Sequence, residues 1–158
     1  MTIRKAAVED IGAINALFYE LDTDAIAMQP EHFQRGSRSL EYLSGLIDDE
    51  KSDFLLAVEN GVIVGFSLLF ERATANLNLL VPCKYAYIQD FVVTEKWRNK
   101  GIGTQLMAAS KKWAANRQLD YLRLSVIPGN RDARRFYARH GLVEQMVTLE
   151  CPIGGSCR

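Results

Sequence analysis

The chain has 158 residues, 48% of them apolar, which is enough to bury one sizeable core, and its length fits a single domain. Its 19 Lys plus Arg balance 19 Asp plus Glu, so the basic footprint of a nucleic-acid binder is missing and no nucleic-acid partner is expected. Residues 1–10 lack signal-peptide architecture and charges interrupt every apolar run, so a soluble, cytoplasmic protein without a membrane partner is expected.

Thr2 to Ala6 reads as a first strand, and Ile11, Ile14, Leu17, Phe18 and Leu21 then recur at helical spacing. In the polar segment from Asp22 to Ser37, Pro30, Gly36 and mixed charge predict a loop or broken helix. Ser39 is placed to cap a second helix reaching about Asp49. Asp53 to Glu59 and Val62 to Phe70 are β-rich runs joined by Asn60-Gly61, a dipeptide that accepts the positive φ angles of a tight hairpin. Ala73 to Leu80 reads as a loop and Cys83 to Val93 as the next strand. Beyond a glycine-bearing turn, Ile102, Leu106, Ala109 and Trp113 form the apolar stripe of a third helix. A strand at Tyr121 to Val126, a helix and a last strand from about Leu142 to Cys151 complete the order βααβββαβαβ. Gly154-Gly155-Ser156 marks 154–158 as a frayed tail on a domain spanning 1–153. Cys83, Cys151 and Cys157 show neither paired metal spacing nor a disulfide framework, and no metal is expected.

The most telling stretch leads from Tyr87-Ile88-Gln89-Asp90-Phe91-Val92-Val93 through Arg98-Asn99-Lys100-Gly101-Ile102-Gly103 into the third helix. A helix start leaves backbone N–H groups without partners and carries partial positive charge, so glycines that let a ligand approach make it an anion cradle. A Walker loop would need Gly-Lys before Ser or Thr, but Thr104 follows Gly103 directly. A dinucleotide fingerprint would place a third small residue where Leu106 stands, and would open the domain rather than follow several strands.

What remains, Arg-x-x-Gly-x-Gly after a strand ending Asp-Phe-Val-Val, resembles the acetyl-CoA loop of the GCN5-related N-acetyltransferases, the GNAT superfamily. A second signature follows in order: Asn130, Ala133, Phe136-Tyr137 and Gly141. The resemblance implies a single α/β (α+β) domain whose mixed, mostly antiparallel sheet contains a splayed parallel pair flanked by helices. It implies an enzyme that moves acetyl from acetyl-CoA to an amine by direct attack, without a metal, and a possible homodimer. It assigns the backbone of Phe91, Val92 and Val93 to the acetyl and pantetheine arm. Arg98, Asn99, Lys100, Gly101, Ile102, Gly103 and Thr104 surround the pyrophosphate, and Asn130, Ala133 and Tyr137 also meet the cofactor. A backbone amide near Val92 becomes the oxyanion donor, and Tyr137 the general acid beside the sulfur.

Two of those residues have a structural reading as well. Tyr137 shares a helix face with Ala133, Phe136 and His140, as a core aromatic would, and Asn130 after Pro128-Gly129 suits a helix cap. Arg131, Arg134, Arg135 and Arg139 read as a solvated face, and His140 as a cation at a helix end. The base is less well marked. Relatives that acetylate diamines carry Glu-Asp where this chain has Gln89-Asp90, and Gln89 cannot accept a proton. Alternation puts Asp90 on the opposite sheet face unless a bulge re-aims it. Deprotonation through a water held by Gln89, Tyr87 or Tyr85, or by Glu71, is the remaining route. Gln89 also motivates an alternative, a non-catalytic acyl-CoA-binding sensor. Glu20, Asp22, Asp24 and Glu31 form an acidic set that would attract a small cationic amine in preference to a protein or peptide amine, or an ordinary solvated loop.

Overall fold

The computed structural model describes residues 1–154. A five-stranded sheet in the order β1-β2-β3-β4-β5 is built from β1 (Thr2–Lys5), β2 (Ser52–Glu59), β3 (Val62–Ala73), β4 (Lys84–Val93) and β5 (Tyr121–Arg123). Pairing is antiparallel up to β4, and β5 joins β4 in parallel. The helices are α1 (Ile11–Met28), α2 (Leu40–Asp48), α3 (Ile102–Asn116) and α4 (Arg131–Arg139). Local chemistry sets several of these boundaries. Asn60 and Gly61 turn the β2–β3 hairpin with φ of 51° and 78°. Ser39 caps α2 by accepting from the Tyr42 amide at 3.1 Å, and Asn130 caps α4 by accepting from the Ala133 amide at 3.2 Å.

Each sheet face buries its own cluster, because alternate residues of β2 and β3 point to opposite sides. On one face Leu56 and Leu68 lie under α1 and α2, where Phe18, Phe54 and Phe66 meet edge to face with centroids 4.9–6.3 Å apart. On the other, Leu55 and Leu69 pack with Leu106, Met107 and Trp113 of α3. Burying such a side chain contributes about 1.5–3 kcal/mol each. The Trp113 indole N–H donates to Asp53 at 2.6 Å, and Lys5 pairs with the same carboxylate at 2.9 Å, so this buried charge is compensated.

Three segments depart from the sequence expectation. α1 continues to Met28, into the segment expected to be a loop or broken helix, and Arg35 and Arg38 fold back over the Tyr19 and Phe18 rings at 3.8 and 4.0 Å while Arg38 pairs with Asp22. β5 ends at Arg123, three residues short of Val126, because β4 no longer runs beside it. No strand forms at 142–154, so the element expected from Leu142 to Cys151 is corrected to irregular chain. Beyond Leu142 these residues have no backbone partner in a ladder, which a strand requires, and Val143, Met146 and Leu149 are 76%, 91% and 88% exposed. Residues 155–158, which include most of the expected tail and Cys157, lie outside the described residues.

Candidate active site

β4 organises the site. Its pairing with β5 covers only Tyr85–Tyr121, Ala86–Leu122 and Tyr87–Arg123, after which the two strands part and leave a wedge beside Ile88 to Val93. On its other edge the register with β3 slips. Leu69 stands opposite Ile88 and Leu68 opposite Asp90, so Gln89 is the extra residue of a β-bulge. The bulge resets the alternation. Ile88 belongs to the α3-side cluster whereas Val92, four residues later, belongs to the cluster beneath α1 and α2.

Asp90 is thereby aimed at the α1–α2 side, where it faces the Arg38–Asp22 pair. Burial pushes its carboxyl up to about 6; Arg38 opposes the rise and Asp22 adds to it. A carboxylate poised there is mostly ionised at neutral pH yet still basic enough to take a proton. Strict alternation concealed this placement. The one sequence signal was a polar Gln-Asp pair interrupting an otherwise apolar and aromatic run. Gln89 is exposed and accepts weakly from Arg72 at 3.4 Å. Glu71, the other carboxylate considered, is held at 3.0 Å by Arg117 and is not directed at the wedge.

The backbone pattern shows which amides of β4 are free. The Thr94 amide donates to the Val64 carbonyl at 2.8 Å, so alternation along the antiparallel pair gives the Val92 amide to Phe66. The amides of Phe91 and Val93 point instead into the wedge left by β5. The Val93 carbonyl is taken by Arg98, whose Nε donates to it at 2.9 Å while Nη2 reaches Asp24 at 3.0 Å. Arg98 is thus a strut between β4, the turn and α1.

After that strut, Asn99 and Gly101 both adopt left-handed conformations, with φ of 59° and 82°, and α3 begins. The amides from Asn99 through Thr104 make no hydrogen bond among the described residues. Six consecutive free donors at a helix start suit a diphosphate, and Lys100, stacked on Trp97 at 4.7 Å, adds positive charge. Gly103 has a further role: a Cβ there would lie 3.2 Å from the Phe136 ring, so its smallness lets α4 approach.

α4 carries Tyr137 to the wedge. Its ring packs edge-on to Phe91 and Phe136 at 6.2 and 5.6 Å, and burial pushes the phenol up to about 12. The hydroxyl makes no hydrogen bond among the described residues and is not a sealed atom. Ala133 and Asn130 stand on the same helix, Asn130 serving its cap. His140 stacks on Phe136 at 4.4 Å, and burial first, then Lys111 and Arg139, lowers its pKa. These surroundings disfavour the helix-end cation expected. In the acidic set, Glu20 accepts from Thr94 at 2.6 Å, Asp22 holds Arg38 and Asp24 holds Arg98, so three of the four carboxylates fasten α1 to its neighbours.

The wedge, the cradle and their order along the chain can be compared with known proteins. The model of the acetyltransferase (GNAT) family matches residues 16–142. The chain belongs to the GNAT family. As a GNAT member it is an N-acetyltransferase, and the family uses acetyl-CoA. It is 31% identical over 149 residues to an uncharacterized N-acetyltransferase, YhfO, of Bacillus subtilis (strain 168), covering 91% of each chain. It is 31% identical over 140 residues to the aminoalkylphosphonate N-acetyltransferase of Salmonella typhimurium, covering 88% of this chain and 82% of that one. The GNAT fold superimposes on the tetramutant of the BH1408 protein from Bacillus halodurans with a TM-score of 0.91 at 27% identity, covering 97% of this chain and 100% of that one.

Proposed function

We propose that this GNAT member transfers the acetyl group of acetyl-CoA to a small primary amine by direct attack on the thioester. One observation carries the reading: the bulge at Gln89 turns the Asp90 carboxylate toward the α1–α2 side of β4, next to the wedge where that strand's amides are free. In this scheme the cradle amides from Asn99 through Thr104 hold the diphosphate, and the Phe91 and Val93 amides hold the pantetheine arm and acyl oxygen. Asp90 takes a proton from the ammonium, directly or through one water. The freed amine forms the N–C bond as the C–S bond breaks, and the second nitrogen proton leaves to solvent. Tyr137 donates a hydrogen bond to the departing sulfur. Its pKa of about 12 keeps it protonated, and because a thiol near 8.5 is the stronger acid, the phenol stabilises the thiolate without surrendering its proton.

A small acceptor is supported by the relative named for aminoalkylphosphonate, an amine at the end of a short chain. The leaning toward a cationic acceptor weakens, since three of the four carboxylates behind it are engaged within the fold. The test is release of free thiol from acetyl-CoA across a panel of amines. Amine-dependent release is expected, whereas tight acetyl-CoA binding with no release for any amine would favour the sensor reading.

A further inference from the structure

Next to Asp90, the sheet face beyond the cover of α1 and α2 carries an unusual set of side chains. Register places Arg72 opposite Tyr85 and Phe70 opposite Tyr87, and continues across the parallel pair to Tyr121 and Arg123. Directly opposed residues share a face, so two arginines and their aromatic neighbours stand together. The Arg72 guanidinium lies 4.3 Å from the Tyr87 ring centroid, and that of Arg123 lies 4.5 Å from the Tyr85 centroid. Stacking on ring faces holds both groups in place without neutralising them.

Nothing else neutralises them. Among the described residues neither arginine has a carboxylate within 4.0 Å, unlike Arg4, Arg38, Arg98, Arg117 and Arg134, each of which has at least one. Arg72 makes one long hydrogen bond, 3.4 Å to Gln89, and that residue adjoins Asp90 in the bulge. Tyr87, between the two cations, points its hydroxyl at Ser125 across the mouth of the wedge, 3.3 Å away. The face therefore presents two preorganised guanidinium groups and the Tyr87 hydroxyl on the same side of the sheet as the proposed base, with Tyr87 three residues before Asp90 on β4 and Arg72 reaching its neighbour Gln89. Planar forks in such a place are suited to an oxyanion.

We propose that the acceptor is an amine that also carries an oxyanion, a phosphonate or carboxylate on a short spacer, with the anion bound by Arg72 and Arg123 while the amine meets Asp90. The inference rests on the acetyl-transfer reading and adds to it the acceptor's second group and the residues that select it. The occupant is a small molecule: the anion satisfies the two cations, and the neighbouring carboxylate takes the opposite charge of the same zwitterion.

Calorimetry on the full chain saturated with CoA tests this without requiring turnover. The probes are 2-aminoethylphosphonate, 3-aminopropanoate and ethylenediamine, which share an amine and spacer and differ at the other end. Both anion-bearing probes should bind about 10- to 100-fold tighter than the diamine, the range expected for charge-assisted pairs. The Arg72→Gln/Arg123→Gln double variant should abolish that order while CoA affinity, set in the proposed scheme by the cradle and the Phe91 and Val93 amides, stays the same and reports an intact fold. A phosphonate preference over carboxylate would identify a dianion site, and equal binding of the two a site for any oxyanion. Equal or tighter binding of ethylenediamine, no binding of either anion-bearing probe, or a preference that survives the double variant overturns the proposal. Thiol release separates the two claims: efficient acetylation of the diamine alone leaves acetyl transfer standing and removes this one. Selective binding of the anionic probes without any thiol release does the reverse.

Discussion

Asp90 stands opposite Leu68 across the β3–β4 ladder, one residue out of step with Ile88 opposite Leu69. That single slip moves a carboxylate from the side of the sheet covered by α3 to the side covered by α1 and α2. There it meets Arg38 and Asp22 and lies beside the wedge between β4 and β5.

Burial of that carboxylate has a thermodynamic signature. Its folded pKa of about 6 exceeds the ordinary carboxyl value of 3.8, so the fold disfavours the ionised form, and stability contributed below 3.8 is lost as pH rises through about 6. Relative to Asp90→Asn, the wild-type protein should lose about 2–3 kcal/mol between pH 4 and 7. Urea unfolding at a series of pH values reads this directly, and a difference that stays flat across that window would contradict it.

In the proposed reaction Tyr137 acts at the leaving group. Tyr137→Phe should lower kcat about 10- to 100-fold while the acetyl-CoA KM changes by less than about twofold. With a pKa of about 12 it should add no alkaline limb to the wild-type rate below about pH 11. A mutant as fast as wild type over the whole range would return Tyr137 to a packing role.

The two glycines of the cradle should respond differently. Gly101 has φ of 82° and open space around its would-be Cβ, so Gly101→Val strains the turn by about 1–2 kcal/mol and should weaken acetyl-CoA binding with little change in kcat. Gly103→Val drives a Cβ to 3.2 Å from Phe136, displacing α4 with Tyr137, and should depress kcat too. Calorimetry paired with steady-state kinetics on both variants distinguishes them; identical profiles would count against the separate roles.

Arg98 offers a choice between strut and phosphate ligand. Bonded to Val93 at 2.9 Å and to Asp24 at 3.0 Å, it should act as a strut. Arg98→Ala and Asp24→Ala should then both weaken acetyl-CoA binding, with a double variant no worse than Arg98→Ala alone. Tighter binding in Asp24→Ala would show that the carboxylate competes with the phosphate for Arg98.

Much of this was legible in the chain. The Asn60-Gly61 hairpin, the Ser39 cap and the stripe of α3 follow from local rules about φ angles, capping and periodicity, and all appear, although β3 runs three residues beyond Phe70 to Ala73. What escaped depends on partners distant in sequence. Arg35 and Arg38 fold back on α1 from the segment that follows it, and β5 stops where β4 diverges. The segment at 142–151 alternates well enough for a strand yet lacks a ladder to join. In the site, the free amides of the cradle could be anticipated from its glycines. The bulge could be named only as the condition under which Asp90 changes face, because a register slip belongs to a pair of strands and the polar Gln89-Asp90 pair alone does not fix it.

The most direct test of the account is amine-dependent thiol release from acetyl-CoA, measured from pH 5 to 9 for the wild-type protein and for Asp90→Asn. The wild-type kcat/KM should rise with pH through a limb near 6, and the variant should lose that limb along with about 100- to 10,000-fold of the rate. An Asp90→Asn enzyme that keeps both the rate and the limb would show that the bulge aims no base, and the mechanism built on it would be wrong.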